Sequence, residues 1–255
     1  MIAAIISEPT QAEPIIKSIQ YLATALGKQA TLAIIAPTNN EFDIAKKAIE
    51  EHLTTITSPD CKIVRLNKIQ ATTHFCETNE ISFLLLQTHN ARSKNIQKSL
   101  NACRELRIPY LLLKENQQLI QLNKVLVPVN FLEEELEKAQ FASAFGRFCN
   151  SEIELLQAND YGRKAASNTE RILELLAKFN LLVKVTKAKH DSFKVDFEAI
   201  DIASQTQANI ILITASREYG LDDLIFGPRE LKLIKKSATP LLLINPRGDL
   251  YALCD

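Results

Sequence analysis

Short apolar runs alternate along this chain with longer segments in which apolar positions recur every three or four residues. The runs suit strands buried on both faces, and the longer segments suit amphipathic helices lying on them. Strands are expected near 1–6, 30–36, 61–66, 81–88 and 109–114, then near 123–129, 151–158, 181–187, 209–215 and 240–245. Helices are expected near 10–26, 40–57, 70–78 and 93–106, then near 131–148, 164–179, 194–206 and 228–237. The alternation predicts repeated βα units and a mostly parallel sheet with helices on both faces. On the first helix Ile15, Ile19, Leu22 and Leu26 form the expected buried stripe. Its counterpart is Leu132, Leu136, Ala139, Ser143 and Gly146, whose small last members allow close approach to the sheet. Glu133, Glu134 and Glu135 fall in that helix's first turn, where the helix dipole favours negative charge, and are read as a solvated face.

The pattern restarts near residue 122. Ile2–Ile6, a helix reaching Leu26-Gly27 and Thr31–Ile35 are answered by Lys124–Val129, a helix reaching Phe145-Gly146 and Ile153–Leu156. Ile81–Leu86 is answered by Ile210–Ile213, and Ile108–Leu113 by Ala238–Ile244. The reading is two tandem domains of one fold, 1–116 and 123–247, with a tail over 248–255. Each is expected to hold a five-stranded parallel sheet. The join, Lys114–Asn123, is short and polar, so the two copies are expected to pack as an intrachain pseudo-dimer.

At 255 residues there is room for a core in each copy. Thirty basic and thirty acidic residues leave zero formal charge and no basic block, so neither a nucleic-acid nor an anionic-membrane partner is expected. No apolar run reaches the ~18 residues of a membrane span, and the N-terminus reads as a strand. The five cysteines and four histidines are scattered, without CxxC or metal-ligand spacing. Free thiols in a reducing, cytoplasmic compartment and no structural metal are the expectation.

Ligands of parallel α/β sheets sit beyond the carboxyl ends of the strands, where strand order reverses. In the second copy the segments there are Pro128-Val129-Asn130-Phe131 and Thr214–Glu230. Lys124–Asn130, Gly220–Gly227 and the closing strand Ala238–Ile244 resemble the universal stress protein family. Its members open on a strand ending Pro-Val-Asp, carry a G-x2-G-x9-G-[S/T] loop after the fourth strand, and close on a strand led by Cys-Pro or Thr-Pro. The resemblance covers about 123–246 through these motifs and 1–115 through rhythm alone. It implies the fold, a role in stress response, dimer-like assembly and, for the glycine-loop members, ATP binding.

The loop departs from that pattern. Two of its glycine positions fall on residues with side chains, Pro228 stands where a hydroxyl residue belongs, and Asn130 replaces the opening Asp. In the first copy the corresponding loop, Thr88–Lys94, has no glycine, and Glu8 follows the first strand. A phosphate cradle needs close backbone approach, so no cofactor is expected. If ATP binds, its ligands would be Asn130, Arg217, Gly220, Gly227 and Arg229 of the second copy. The two arginines have an equally available use as surface partners of Asp222, Asp223 or Glu230. His89, beside Asn90, Arg92 and Lys94, has no nucleophile placed for it. His74 and Cys76, two apart on a helix, point in different directions. No Ser-Gly-Gly phosphate loop of the adenine-nucleotide alpha hydrolase kind follows either first strand, and no acidic cluster of the receiver kind is present. The expectation is therefore a non-enzymatic tandem stress protein acting on an unidentified protein partner, possibly as a homodimer, with a second-domain nucleotide binder capable of slow ATP hydrolysis as the alternative.

Overall fold

A computed structural model of the chain describes residues 1–55, 61–88, 92–115, 117, 119–216 and 227–247. The chain divides into two compact units, the first running from Met1 to Ile120 and the second starting at Gln121. Both are α/β, with a five-stranded parallel sheet.

In the first unit the strands are β1 (Ile2–Ile6), β2 (Ala30–Ile35), β3 (Lys62–Leu66), β4 (Phe83–Thr88) and β5 (Tyr110–Lys114). Their order is β3-β2-β1-β4-β5, every neighbour parallel. Helices α1 (Glu13–Leu26), α2 (Asn39–Thr55), α3 (Thr72–Thr78) and α4 (Ser93–Cys103) connect them. All five residues of β1 are buried, as a central strand covered on both faces requires. Ile15, Ile19 and Leu22 bury the stripe expected of α1, and Leu26 is half-buried.

The second unit repeats the arrangement with β6 (Lys124–Val129), β7 (Glu152–Gln157), β8 (Val183–Lys187), β9 (Ile210–Thr214) and β10 (Leu241–Ile244), in the order β8-β7-β6-β9-β10. Its helices are α5 (Lys138–Cys149), α6 (Lys164–Ala177), α7 (Val195–Thr206) and α8 (Arg229–Lys236). The outer strands β3 and β8 carry Lys62, Arg65, Lys184 and Lys187, charges that discourage further strand pairing there.

One helix departs from expectation. Residues Glu133–Glu137 form a 3-10 helix before α5 begins at Lys138. Three residues per turn instead of 3.6 shifts the phase of everything that follows. Leu132 is consequently 42% exposed, while Glu135 and Lys138 are fully buried beside Ala139, Ala142 and Phe145. The expected stripe is thus corrected at its start, and Glu135 is no part of a solvated face. The helix also runs past Gly146, ending at Cys149 with Asn150 as a left-handed cap (φ 54°) that donates to Phe145 O. Gly146 is instead a packing position, where an added Cβ would lie 2.8 Å from Leu181 Cδ1.

In each sheet the order reverses beside its first strand. Ladder pairing of β1 with β4 ends at Ile5–Leu86, and that of β6 with β9 at Leu126–Ile211. Beyond those points the strands part, leaving the crevice where such sheets hold ligands.

Leu85 and Leu126 are wholly buried in central strands. Leu85→Ala and Leu126→Ala are each expected to lower unfolding free energy by about 2–5 kcal/mol in urea titrations; a loss below about 1 kcal/mol would contradict their place in the cores.

Candidate functional site

The crevice of the second unit is occupied by the chain's own charged side chains. At the exit of β6, the Asn130 N–H donates to Glu135 Oε2 (3.1 Å), the Leu132 N–H donates to Asn130 Oδ1 (2.7 Å), and Asn168 Nδ2 donates to the carbonyls of Asn130 (3.0 Å) and Leu132 (2.8 Å). Lys138 Nζ reaches back to Glu135 Oε2 (2.8 Å) and Pro128 O (2.7 Å), beyond the last ladder pair of β6 with β9. From the other face of the sheet, the Ser216 N–H, at the exit of β9, donates to Glu230 Oε1 of α8. Arg229 Nη2 donates to Asp196 Oδ2 in the first turn of α7. Glu135, Lys138, Asp196 and Glu230 are each at most 1% exposed.

A third buried carboxylate serves the exit of β8: the Lys189 and His190 N–H groups donate to the two oxygens of Glu198, both at 2.8 Å. Ser192 then ties neighbouring loops together. Its N–H donates to Asp160 Oδ1 (2.8 Å), and its hydroxyl accepts from the Phe131 N–H (3.0 Å). This brings the Phe131 and Phe193 rings edge to face at 5.5 Å.

The electrostatics of two buried acids differ in sign. Glu154 on β7 lies among Thr186, Lys184 and Lys124. Burial pushes its carboxyl up, but hydrogen bonds from those three groups outweigh this and hold it below the usual range. Asp196 is raised instead: burial is the largest influence and outweighs Arg229 and Lys138, and the negative charges of Glu135 and Glu230 add to it.

The first unit closes its crevice with a neutral group. Gln87 Oε1 accepts from the Ser7 N–H (3.0 Å) and the Glu8 N–H (2.9 Å), and Gln87 Nε2 donates to Glu8 O (3.2 Å) and Gln11 O (2.9 Å). One amide on β4 thereby fixes the exit of β1. The neighbouring cavity, bounded by Thr10, Glu13, His52, Gln87 and Lys114, measures about 220 Å³. That is below the ~300 Å³ at which small-molecule sites begin.

Of the residues expected to contact a nucleotide, Asn130 is buried and bonded within its own loop, and Arg229 is paired with Asp196, a partner not foreseen. Gly227 is buried with φ 77°, and an added Cβ would meet Leu231 Cδ2 at 2.5 Å, so backbone shape and packing account for it. Pro228 is the N-cap of α8, one position before the expected helix start. Arg217, Gly220, Asp222, Asp223, His89 and Asn90 lie outside the described residues. His74 is exposed and Cys76 buried, on different sides of α3. Sequence reasoning missed Gln87, Glu135, Lys138, Asp196 and Glu230. The available signals were a lone amide in the apolar run Phe83–Thr88 and the i,i+3 spacing of Glu135 and Lys138.

Among the described residues, no group of three His, Cys, Asp or Glu side chains could hold a metal ion, and no helix is long and apolar enough to cross a membrane. Cys61, Cys76, Cys103 and Cys149 are free thiols. Burial pushes Cys61 up to about 11 and Cys76 up to about 12, and Cys103 higher still.

The fold places the chain among known architectures. It is that of universal stress protein structures. A universal stress protein from Archaeoglobus fulgidus DSM 4304 matches at TM-score 0.70 and 12% identity, over 96% of this chain and 98% of that one. A putative universal stress protein from Pseudomonas aeruginosa UCBPP-PA14 matches at TM-score 0.66 and 13% identity, over 98% and 95%. The cytoplasmic domain of a prokaryotic cation chloride cotransporter matches at TM-score 0.57 and 11% identity, over 99% and 98%, so this architecture also serves in other settings. A scan of protein families finds no match, and neither does a search of curated proteins.

Lys138→Met leaves Glu135 buried without its cation and is expected to cost about 3–5 kcal/mol in urea unfolding, with most of that restored by adding Glu135→Leu. A cost below about 1 kcal/mol for the single variant would mean that the pair is not buried. Cys76 and Cys103 are expected to resist iodoacetamide in the native protein near about pH 8 and to react once unfolded; equal rates in both states would contradict their burial.

Proposed function

We propose that this chain is a tandem universal stress protein-like molecule of the stress response, acting without catalysis and without tight ATP binding. The fold and the ordered motifs Lys124–Asn130 and Ala238–Ile244 support the family reading. One observation carries the rest: three buried carboxylates, Glu135, Asp196 and Glu230, stand in the second unit's crevice. Polyanionic phosphate there would meet negative charge in a medium of low dielectric, where repulsion is poorly screened. Arg229, the cation best placed to offset it, is bound to Asp196. In the first unit Gln87 holds the equivalent place. The protein then works through its surfaces on a protein partner, and its free thiols suit a reducing, cytoplasmic setting.

Calorimetric titration with magnesium ATP is the test. The expected result is no saturable binding at concentrations up to about 1 mM, or roughly −4 kcal/mol. A Kd of about 1 μM or tighter, roughly −8 kcal/mol, would overturn the proposal in favour of a nucleotide switch in the second unit.

A further inference from the structure

The charged cluster of the second unit is incompletely satisfied. Three carboxylates, Glu135, Asp196 and Glu230, face two cations, Lys138 and Arg229. One oxygen of each carboxylate has no partner: Glu135 Oε1, Asp196 Oδ1 and Glu230 Oε2. Independently of these, the Thr214 hydroxyl, which ends β9 at the same crevice and is 7% exposed, has no partner either. Buried oxygens left bare are rare because each forfeits its hydration without replacement. Four in one place, with negative charge in excess, mark a missing proton donor. Since no group of three ligating side chains among the described residues could hold a metal ion, the smallest donor fits best.

We propose that the crevice of the second unit is a proton-binding site, in which one proton is held among Asp196, Glu230 and Glu135 and keeps the exits of β6 and β9 clamped. The inference rests on the reading that the chain itself fills this crevice. The proton adds to a carboxylate oxygen without breaking any other bond. The hydroxyl so formed can donate to one of the bare oxygens and cancels the excess charge. The clamp is physical: the Asn130 N–H hangs on Glu135 and the Ser216 N–H on Glu230. Loss of the proton leaves three carboxylates repelling one another at both anchor points.

The charges around Asp196 favour this residue as the proton's seat. From α8 it meets Arg229 and Glu230, from α5 Lys138, and from the 3-10 helix Glu135. On its own helix Glu198 is engaged by two backbone N–H groups, and Asp201, further along, pairs with Lys236. On β7, Glu154 is held by Lys124 and Lys184. Burial dominates and raises Asp196 above the ordinary carboxylate range. The sign follows: the folded state binds the proton more tightly than the unfolded chain. Its stabilisation is fully present below the ordinary aspartate range and is lost as pH rises through the folded value.

The test uses the full chain. Thermal unfolding of the wild type and of Asp196→Asn is followed between about pH 5 and 9. While the proton is being lost, wild-type Tm is expected to fall by roughly 3–6 °C per pH unit relative to Asp196→Asn. Parallel profiles would overturn the proposal, as would an Asn variant that is less stable by the same amount at every pH, the signature of a permanently ionised partner of Arg229. Isotope-edited infrared spectra of wild-type protein labelled at aspartate need no variant to fold. A protonated carboxyl band at near-neutral pH supports the site, and only ionised aspartate there overturns it. Magnesium ATP titrated into the same sample reads the filled-crevice proposal separately: tight binding would sink that proposal while the infrared result stands by itself.

Discussion

Each strand of a parallel sheet ends with backbone N–H groups that have lost their ladder partners, and burying them unpaired is costly. In the second unit this need is met by carboxylates: Glu135 at the exit of β6, Glu198 at that of β8 and Glu230 at that of β9. An ionised oxygen is a strong acceptor of N–H bonds, but carrying it into the interior requires a counter-charge. Lys138 and Arg229 follow from that requirement. So does the 3-10 helix before α5, which turns Glu135 and Lys138 inward together.

The first unit meets the same need by other means. Gln87 supplies two acceptor and two donor positions from one neutral side chain, and all four are used. No counter-charge is required. The two halves of a repeated fold have thus arrived at closed crevices through different chemistry, one ionic and one not. Sharing a fold leaves the site free to diverge.

Much of the architecture was legible because it depends on patterns that survive averaging. The runs Ile2–Ile6 and Ile210–Ile213 can only be strands buried on both faces, and every strand appears within a residue or two of its expected place. The crevice was harder to read. Glu135 sits in a run of three glutamates, and nothing local distinguishes the one that turns inward from the two that do not. The decision is made by a three-residue helical turn and by Lys138, ten residues from the carbonyl it serves. Asp196 and Arg229 meet across 33 positions of sequence, a pairing that no local pattern announces. Gly227 was noticed for the right conformational property and given the wrong use, because a left-handed turn packed on Leu231 has the same signature as a phosphate-approaching one.

The amide of Gln87 also makes the first unit vulnerable to chemical ageing. Hydrolysis of that amide to a carboxylate would add no bulk and would still accept from the Ser7 and Glu8 N–H groups. The carbonyls of Glu8 and Gln11, which now receive hydrogen bonds from Nε2, would instead face a second oxygen. Two attractive contacts would become repulsive with scarcely a change in shape. The loop after β1 is therefore fastened by a group whose lifetime is set by solution chemistry as well as by folding, and its shielding from water becomes part of how long the first unit keeps its form.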